Sequence, residues 1–304
     1  MEIRELQDQI RKKKKEEDWC ILAHTYQSQE ILEVADIVGD SYALSVKAKS
    51  LPQEKMILCG VRFMAETCKI LSPNKTVYLA NPEAGCPMAD QMTKEEGLDL
   101  KKKYPGAPLV AYINTTAELK TVADVVVTSS SAVKIVKNLK EKEIIFVPDP
   151  NLGAWVARKV PEKTFHFFEG GCPVHGTIRV EDLKQARKAH PKALIFVHPE
   201  VSPEVSVLAD YVGSTSEIMD EAIKSSANEI IIGTENSIVD HLHYLAPEKA
   251  FYPLSLKCIC FDMQTTHLMD INRVLEGRGG EEILLDPQVM DQARRSIDRM
   301  MELG

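Results

Sequence analysis

The sequence predicts an α/β fold: three homologous αβα units, each on a mainly parallel sheet, arranged with pseudo-threefold symmetry around one central site. Three observations carry this. Short apolar runs alternate with amphipathic stretches along the whole 304-residue chain, as strands and covering helices do in parallel sheets. One skeleton recurs three times with a period close to 87 residues. Each recurrence closes on a cysteine.

The chain opens on Ile3, Leu6 and Ile10 at helical spacing, and its basic run Arg11 to Lys15 is balanced at once by Glu16, Glu17 and Asp18. That run reads as a solvated helix face. Strands are expected at Cys20–Ala23, Lys55–Cys59, Thr76–Leu79, Leu109–Tyr112, Glu143–Val147, Thr164–Phe167, Leu194–Val197, Glu229–Ile232 and Phe251–Leu254. Amphipathic segments such as Asp182–Ala189 and Glu217–Ser226 lie between them. The repeat shows in ILAHTYQSQEILEVADIVGDS (21–41), LVAYINTTAELKTVADVVVTS (109–129) and IFVHPEVSPEVSVLADYVGST (195–215). In each, a strand ends in His24, Tyr112 or His198, and an Ala-Asp pair begins eleven positions later, at Ala35, Ala123 or Ala209. The apolar strands KMILCG, EIIFVP and EIIIGT follow, then strands opened by Lys75, Lys163 and Lys249, then Cys86, Cys172 and the pair Cys258 and Cys260.

The expected units are residues 1–90, 91–176 and 177–304, in place of the two domains that length alone suggests. Each is small for a free-standing domain, so they should pack together. The last carries an extension beyond Met263: a helix to about Glu276, a strand in EEILLD and a helix from about Pro287, expected to pack back on the first unit.

Composition narrows the function. Lys plus Arg total 37 against 45 Asp plus Glu, a net charge of -8, which offers no global field to a phosphate backbone and argues against nucleic acid as a partner. No uncharged apolar run approaches the roughly 18 residues of a membrane span. The start lacks the apolar core of a signal peptide, so a cytoplasmic protein with no membrane partner is expected. Seven cysteines without CxxC spacing do not read as a disulfide framework, and Cys20, Cys59 and Cys68 read as core thiols. The glycines of EGRGG (276–280) lack a strand-to-helix phosphate context and read as a loop.

Parallel sheets bind ligands at the carboxyl ends of their strands. Residues two apart in extended chain face one side, so the pairs His24/Tyr26, Tyr112/Asn114 and His198/Glu200 are offered to one cavity as acids, bases and hydrogen-bond donors. Ser41, Ser129 and Thr215 each precede a helical pattern and read as N-caps, at helix ends that also favour carboxylate or phosphate. The cysteine loops are PEAGCPMAD, FEGGCPVHG and LSLKCICFDM; small residues before Cys86 and Cys172 let the backbone approach closely, and the following prolines favour extended cysteines. Three thiolates on an axis could hold zinc, with His175 as fourth ligand, or a four-iron cluster with one iron left open as a Lewis acid. His166, His190, His241, His243 and His267 match no repeat position and are expected to be structural or exposed.

At this point the residues resemble the quinolinate synthase family. The matching signatures are HTYQ (24–27), ADIVGDS (35–41), GVRFMAET (60–67), CPMA (86–89), YINTTAELKTVAD (112–124), TSSSAV (128–133), PDPNLG (148–153), GCPVH (171–175), HPE (198–200), ADYVGST (209–215), GTE (233–235) and CFDM (260–263), running through nearly the whole chain. The resemblance implies three αβα domains around an oxygen-sensitive [4Fe-4S] cluster with one open iron, held by Cys86, Cys172 and Cys260. Cys260 is preferred to Cys258 because it precedes Met263 by three positions, as the family's third cysteine precedes its Met. The implied reaction condenses iminoaspartate with dihydroxyacetone phosphate, losing phosphate and two waters, to give quinolinate for de novo NAD synthesis. Substrate contacts carry over to His24, Ser41, Tyr112, Asn114, Ser129, His198, Glu200 and Thr215, and catalytic roles to His24, Tyr26, Tyr112, Glu200 and His175. A functional link to an L-aspartate oxidase or aspartate dehydrogenase follows from the substrate. Two other readings stay open: a cluster-dependent hydro-lyase acting on a hydroxy acid, and a non-catalytic zinc module on Cys86, Cys172, Cys260 and His175.

Overall fold

The computed structural model describes residues 2–304. Eight elements recur three times in one order. The first set is α1 (Ile3–Glu16), β1 (Trp19–His24), α2 (Gln29–Leu32), β2 (Ile37–Gly39), α3 (Ser41–Ser50), β3 (Lys55–Cys59), α4 (Arg62–Leu71) and β4 (Thr76–Leu79). The second is α5 (Lys94–Lys103), β5 (Leu109–Tyr112), α6 (Ala117–Lys120), β6 (Val125–Val127), α7 (Ala132–Asn138), β7 (Glu143–Val147), α8 (Pro150–Lys159) and β8 (Thr164–Phe167). The third is α9 (Val180–Ala189), β9 (Leu194–Val197), α10 (Pro203–Ser206), β10 (Tyr211–Val212), α11 (Thr215–Lys224), β11 (Glu229–Gly233), α12 (Ser237–Leu245) and β12 (Ala250–Pro253). The nine expected strands are present within a residue or so, and each unit holds one more, the short β2, β6 and β10 after the Ala-Asp pair. No helix among the described residues is long and apolar enough to cross a membrane.

Each unit makes a parallel sheet in the order second, first, third, fourth strand. The register repeats too: Leu22 pairs with Ile37, Val110 with Val125 and Phe196 with Tyr211. The aspartates of the Ala-Asp pairs explain why. Asp36, Asp124 and Asp210 each accept a backbone N–H near the start of the first strand, from Ile21, Leu109 and Ile195, at 2.8, 2.7 and 2.8 Å. Their own N–H groups return to the carbonyls of the same three residues. Lys14, Lys101 and Arg187, from the helix preceding each first strand, complete the ion pairs. The Ala-Asp spacing is therefore a strand clamp.

A second recurring anchor lies just before the fourth strands. Lys75 Nζ bonds the carbonyl of Leu51; Lys163 Nζ bonds Leu139 and Glu141 at 2.5 and 2.9 Å; Lys249 Nζ bonds Ala222, Ile223 and Ser225 at 2.9, 2.7 and 2.5 Å. These carbonyls lie at or beside the ends of α3, α7 and α11, where free carbonyls and the helix dipole favour a cation.

Alternation along the first strands sets the layers. Leu22, Val110 and Phe196 enter one apolar core shared by all three units, whereas Ile21 and Ala23, Leu109 and Ala111, and Ile195 and Val197 fill three separate outer cores. His24, Tyr112 and His198 continue the inward-facing series. The extension consists of α13 (Phe261–Gln264), α14 (Leu268–Leu275), β13 (Glu281–Glu282) and α15 (Pro287–Leu303). Strand β13 pairs antiparallel with β4, α14 packs on α1, and α15 lies against α4 of the first unit and α6, β6 and α7 of the second.

Candidate active site

The carboxyl ends of the three sheets meet at one partly enclosed cavity. All thirteen site residues expected from the sequence line it: His24, Tyr26 and Ser41; Tyr112, Asn114 and Ser129; His175; His198, Glu200 and Thr215; and Cys86, Cys172 and Cys260.

The strand-end pairs reach it by a route other than extended chain. After β1 and β9 the backbone turns: Gln27 N–H returns to His24 and Val201 N–H to His198. Each imidazole Nδ1 then accepts the N–H two residues on, from Tyr26 at 3.1 Å and Glu200 at 3.4 Å. The N-cap expectation also needs correction. Asp40 and Ser214 cap α3 and α11 through their side chains, and Ser131 occupies the N-cap of α7. Ser41 and Thr215 stand one place inside their helices and Ser129 two places before its cap, so their hydroxyls are free of capping and line the cavity.

A chain of hydrogen bonds crosses the cavity wall from the first unit to the second. The Tyr26 hydroxyl lies 2.8 Å from both Thr215 Oγ1 and Thr234 Oγ1. Thr234 Oγ1 lies 2.9 Å from His175 Nε2, and His175 Nδ1 lies 2.8 Å from Glu200 Oε2. Tyr112 donates its O–H to Glu200 Oε1 at 2.6 Å. His198 stacks on His175 with ring centroids 4.7 Å apart. Thr234, which the sequence reading missed, joins Tyr26 to His175 in this relay. It follows directly on β11, and that position alone could have marked it.

Burial dominates the electrostatics. It lowers His24 and His198 to about 4, which leaves both imidazoles neutral at pH 7. It raises Tyr26 and Tyr112 well above the usual phenol range, so both remain proton donors. Burial would raise Glu200 as well, but His198, His175 and the Tyr112 O–H outweigh it and hold the carboxyl below its ordinary range. Asn114 Oδ1 is buried without a hydrogen-bond partner among the described residues, an acceptor in the cavity wall that a ligand donor would satisfy.

The three cavity cysteines share one local geometry. Each opens a single helical turn, with Asp90 N–H returning to Cys86 at 3.2 Å, Gly176 to Cys172 at 2.9 Å and Gln264 to Cys260 at 3.1 Å. The backbone N–H three residues on, of Ala89, His175 and Met263, favours the anionic form of each sulfur against burial. Burial pushes Cys86 up to about 12, Cys260 up to about 11 and Cys172 well above the usual thiol range, so a bound cation is what would make them thiolates. Cys20, Cys59, Cys68 and Cys258 are instead packed in apolar cores. Close backbone approach before the cysteine holds in one loop only. A Cβ on Gly170 would lie 2.8 Å from the Pro148 carbonyl, and Gly171 has φ +131°, whereas a Cβ on Gly85 would make an ordinary 3.5 Å contact. Among the described residues, Cys172, His175 and Glu200 form a trio close enough to grip one metal ion. His241, outside the repeat pattern, is structural: its ring nitrogens lie 3.2 Å from Gln29 Oε1 and 3.0 Å from the Gln27 carbonyl.

A cavity assembled by three α/β units and lined by thiols, imidazoles, a carboxylate and phenols defines an α/β enzyme with a metal cofactor. A family model described as Quinolinate synthetase A protein matches residues 8–302, and the chain belongs to that family. It is 44% identical over 304 residues to the quinolinate synthase of Caldicellulosiruptor bescii, covering 100% of both chains. The identity is 45% over 305 residues, again 100% of both, with that of Caldicellulosiruptor saccharolyticus. With the quinolinate synthase of Aquifex aeolicus it is 42%, over 100% of this chain and 95% of the relative.

Proposed function

We propose that the chain is a cytoplasmic quinolinate synthase, condensing iminoaspartate with dihydroxyacetone phosphate to quinolinate with release of phosphate and two waters, in de novo NAD biosynthesis. The observation that carries this is the convergence of one thiol from each unit and the Tyr26-to-Tyr112 relay on one cavity. An L-aspartate oxidase or aspartate dehydrogenase would supply the iminoaspartate. Residues 1–90, 91–176 and 177–304 are taken as the three repeats.

Cys86, Cys172 and Cys260 fit a [4Fe-4S] cluster in donor chemistry, since one thiol from each unit lines the same cavity. With three thiolates for four irons, the bound cluster would supply a Lewis-acidic iron with an open position for a substrate hydroxyl or carboxylate. The rest of the chemistry belongs to side chains. Ser41, Ser129 and Thr215 offer hydroxyls to carboxylate or phosphate oxygens. Asn114 Oδ1 accepts from a substrate N–H or O–H. His198 binds substrate with a neutral imidazole. Neutral His24 is competent to take a proton. Glu200 serves as the acceptor and Tyr26 and Tyr112 as donors for the proton movements of phosphate loss, isomerisation and ring closure, with His175 linking Glu200 to Thr234.

Anaerobic reconstitution with iron and sulfide, followed by assays of quinolinate and phosphate, tests the reading. Quinolinate dependent on both substrates is expected. Stoichiometric zinc without iron would favour a metal staple, for which Cys172, His175 and Glu200 offer a single-ion trio, and would overturn the proposal. Alanine in place of Cys86, Cys172 or Cys260 should abolish the iron–sulfur absorbance; Cys258→Ala should keep it.

A further inference from the structure

Two buried carboxylates that the mechanism does not use occupy matching places. Asp149 and Glu235 each stand two residues beyond the end of a third strand, β7 and β11, and both are fully buried. One oxygen of each serves the start of the following helix. Asp149 Oδ1 accepts N–H groups from Asn151 and Leu152 at 2.8 and 2.9 Å, and Glu235 Oε2 accepts N–H from Ser237 at 2.8 Å. The other oxygen reaches across to a cysteine backbone: Asp149 Oδ2 accepts Cys172 N–H at 3.2 Å, and Glu235 Oε1 accepts Cys260 N–H at 3.4 Å along with Gln264 Nε2 at 2.9 Å. In the first unit Val61 holds the equivalent place, and the Cys86 loop is tied through Arg62, whose N–H bonds Ala84 O at 2.9 Å and whose guanidinium bonds Pro82 O at 3.2 Å.

We infer that Asp149 and Glu235 are positioning residues, which fix the cysteine loops of the second and third units to the helices beside them and so hold two of the three sulfurs in place for metal. The inference about the loops stands on these contacts; its consequence for a cluster rests on the proposed function. Both carboxylates hold the cysteine by its backbone N–H, so the effect travels through the cysteine backbone. Outer-sphere partners of this kind typically change metal retention about 10- to 100-fold.

The amide variants separate this role from helix capping. Asp149→Asn and Glu235→Gln keep one oxygen to cap the helix and turn an NH₂ group toward the cysteine N–H. The apoproteins should stay folded, the unpaired cysteine N–H lowering the folding equilibrium constant by up to about 5- to 150-fold, which is about 1–3 kcal/mol. They should exchange backbone hydrogens about tenfold or more faster in the segments holding Cys172 and Cys260, beyond any change in the rest of the chain. The loaded proteins should release iron to an anaerobic chelator about 10- to 100-fold faster than wild type. Asp286→Asn, which alters only the cap of α15, should match wild type in both measurements. Unchanged exchange in both cysteine segments would overturn the inference. Faster exchange in a protein that takes up no cluster would leave the inference standing and defeat the proposed function instead.

Discussion

The contact between Tyr112 and Glu200 gives the sharpest test of the proton-transfer assignment. Tyr112→Phe removes a single O–H and keeps the ring in its buried seat, so its effect reports on the 2.6 Å hydrogen bond to Glu200 Oε1 and little else. A hydrogen bond to an ionised group contributes about 1.5–3 kcal/mol. Expressed at the transition state, that is a fall of about 10- to 150-fold in kcat/KM. The assay is anaerobic quinolinate formation in a cycle of Tyr112→Phe, Glu200→Gln and the double variant, with cluster content checked in each. Groups acting through one contact are not additive, so the double variant should lose little more than Glu200→Gln alone. Wild-type turnover in Tyr112→Phe, or losses that simply add, would refute the shared role.

Thr234→Val keeps the shape but cuts the relay between Tyr26 and His175. Tyr26 retains Thr215, whereas His175 Nε2 is left unpaired, so the variant should lose about 1–3 kcal/mol of stability and more in kcat than in affinity. A change confined to KM would count against the relay. Burial lowers His24 to about 4 in the fold against 6.5 for the ordinary group, so the unfolded chain binds the extra proton between those values. The stability this neutral histidine retains above pH 6.5 is therefore lost as the pH falls toward 4. His24→Gln apoprotein should show a shallower acid loss, by up to about 1.4 kcal/mol per pH unit in urea titrations, and an unaltered slope would contradict the neutral assignment. Asp36→Ala, Asp124→Ala and Asp210→Ala should each cost about 1.5–3 kcal/mol in the same titrations, since each removes the same strand clamp. Widely unequal losses would show that the three clamps are not equivalent.

The repeat was legible because its anchors are periodic in sequence as well as in space. The spacing from His24 to Ala35 returns at Tyr112 and His198 because each first strand is clamped by the same aspartate. Strands β2, β6 and β10 escaped because two or three residues are too few for a period-2 pattern to stand out. The hydroxyls at Ser41, Ser129 and Thr215 were placed in the cavity wall for the wrong local reason: Asp40 and Ser214 beside two of them take the caps, and Ser131 holds the third. Thr234, Asp149 and Glu235 went unmarked singly, although they sit inside PDPNLG and GTE. What they do depends on partners 23 to 208 residues away, which no local pattern reports.

The strand clamps also govern depth. Sliding one of these strands by a single residue would move it about 3.3 Å and turn its inward side chains outward. His24, Tyr112 or His198 would then leave the cavity altogether. Asp36, Asp124 and Asp210 do not line that cavity. Even so, like three plumb lines cut to one length, they bring the ends of three separate sheets to a common level, and the chemistry at the centre inherits its alignment from carboxylates that never meet the substrate.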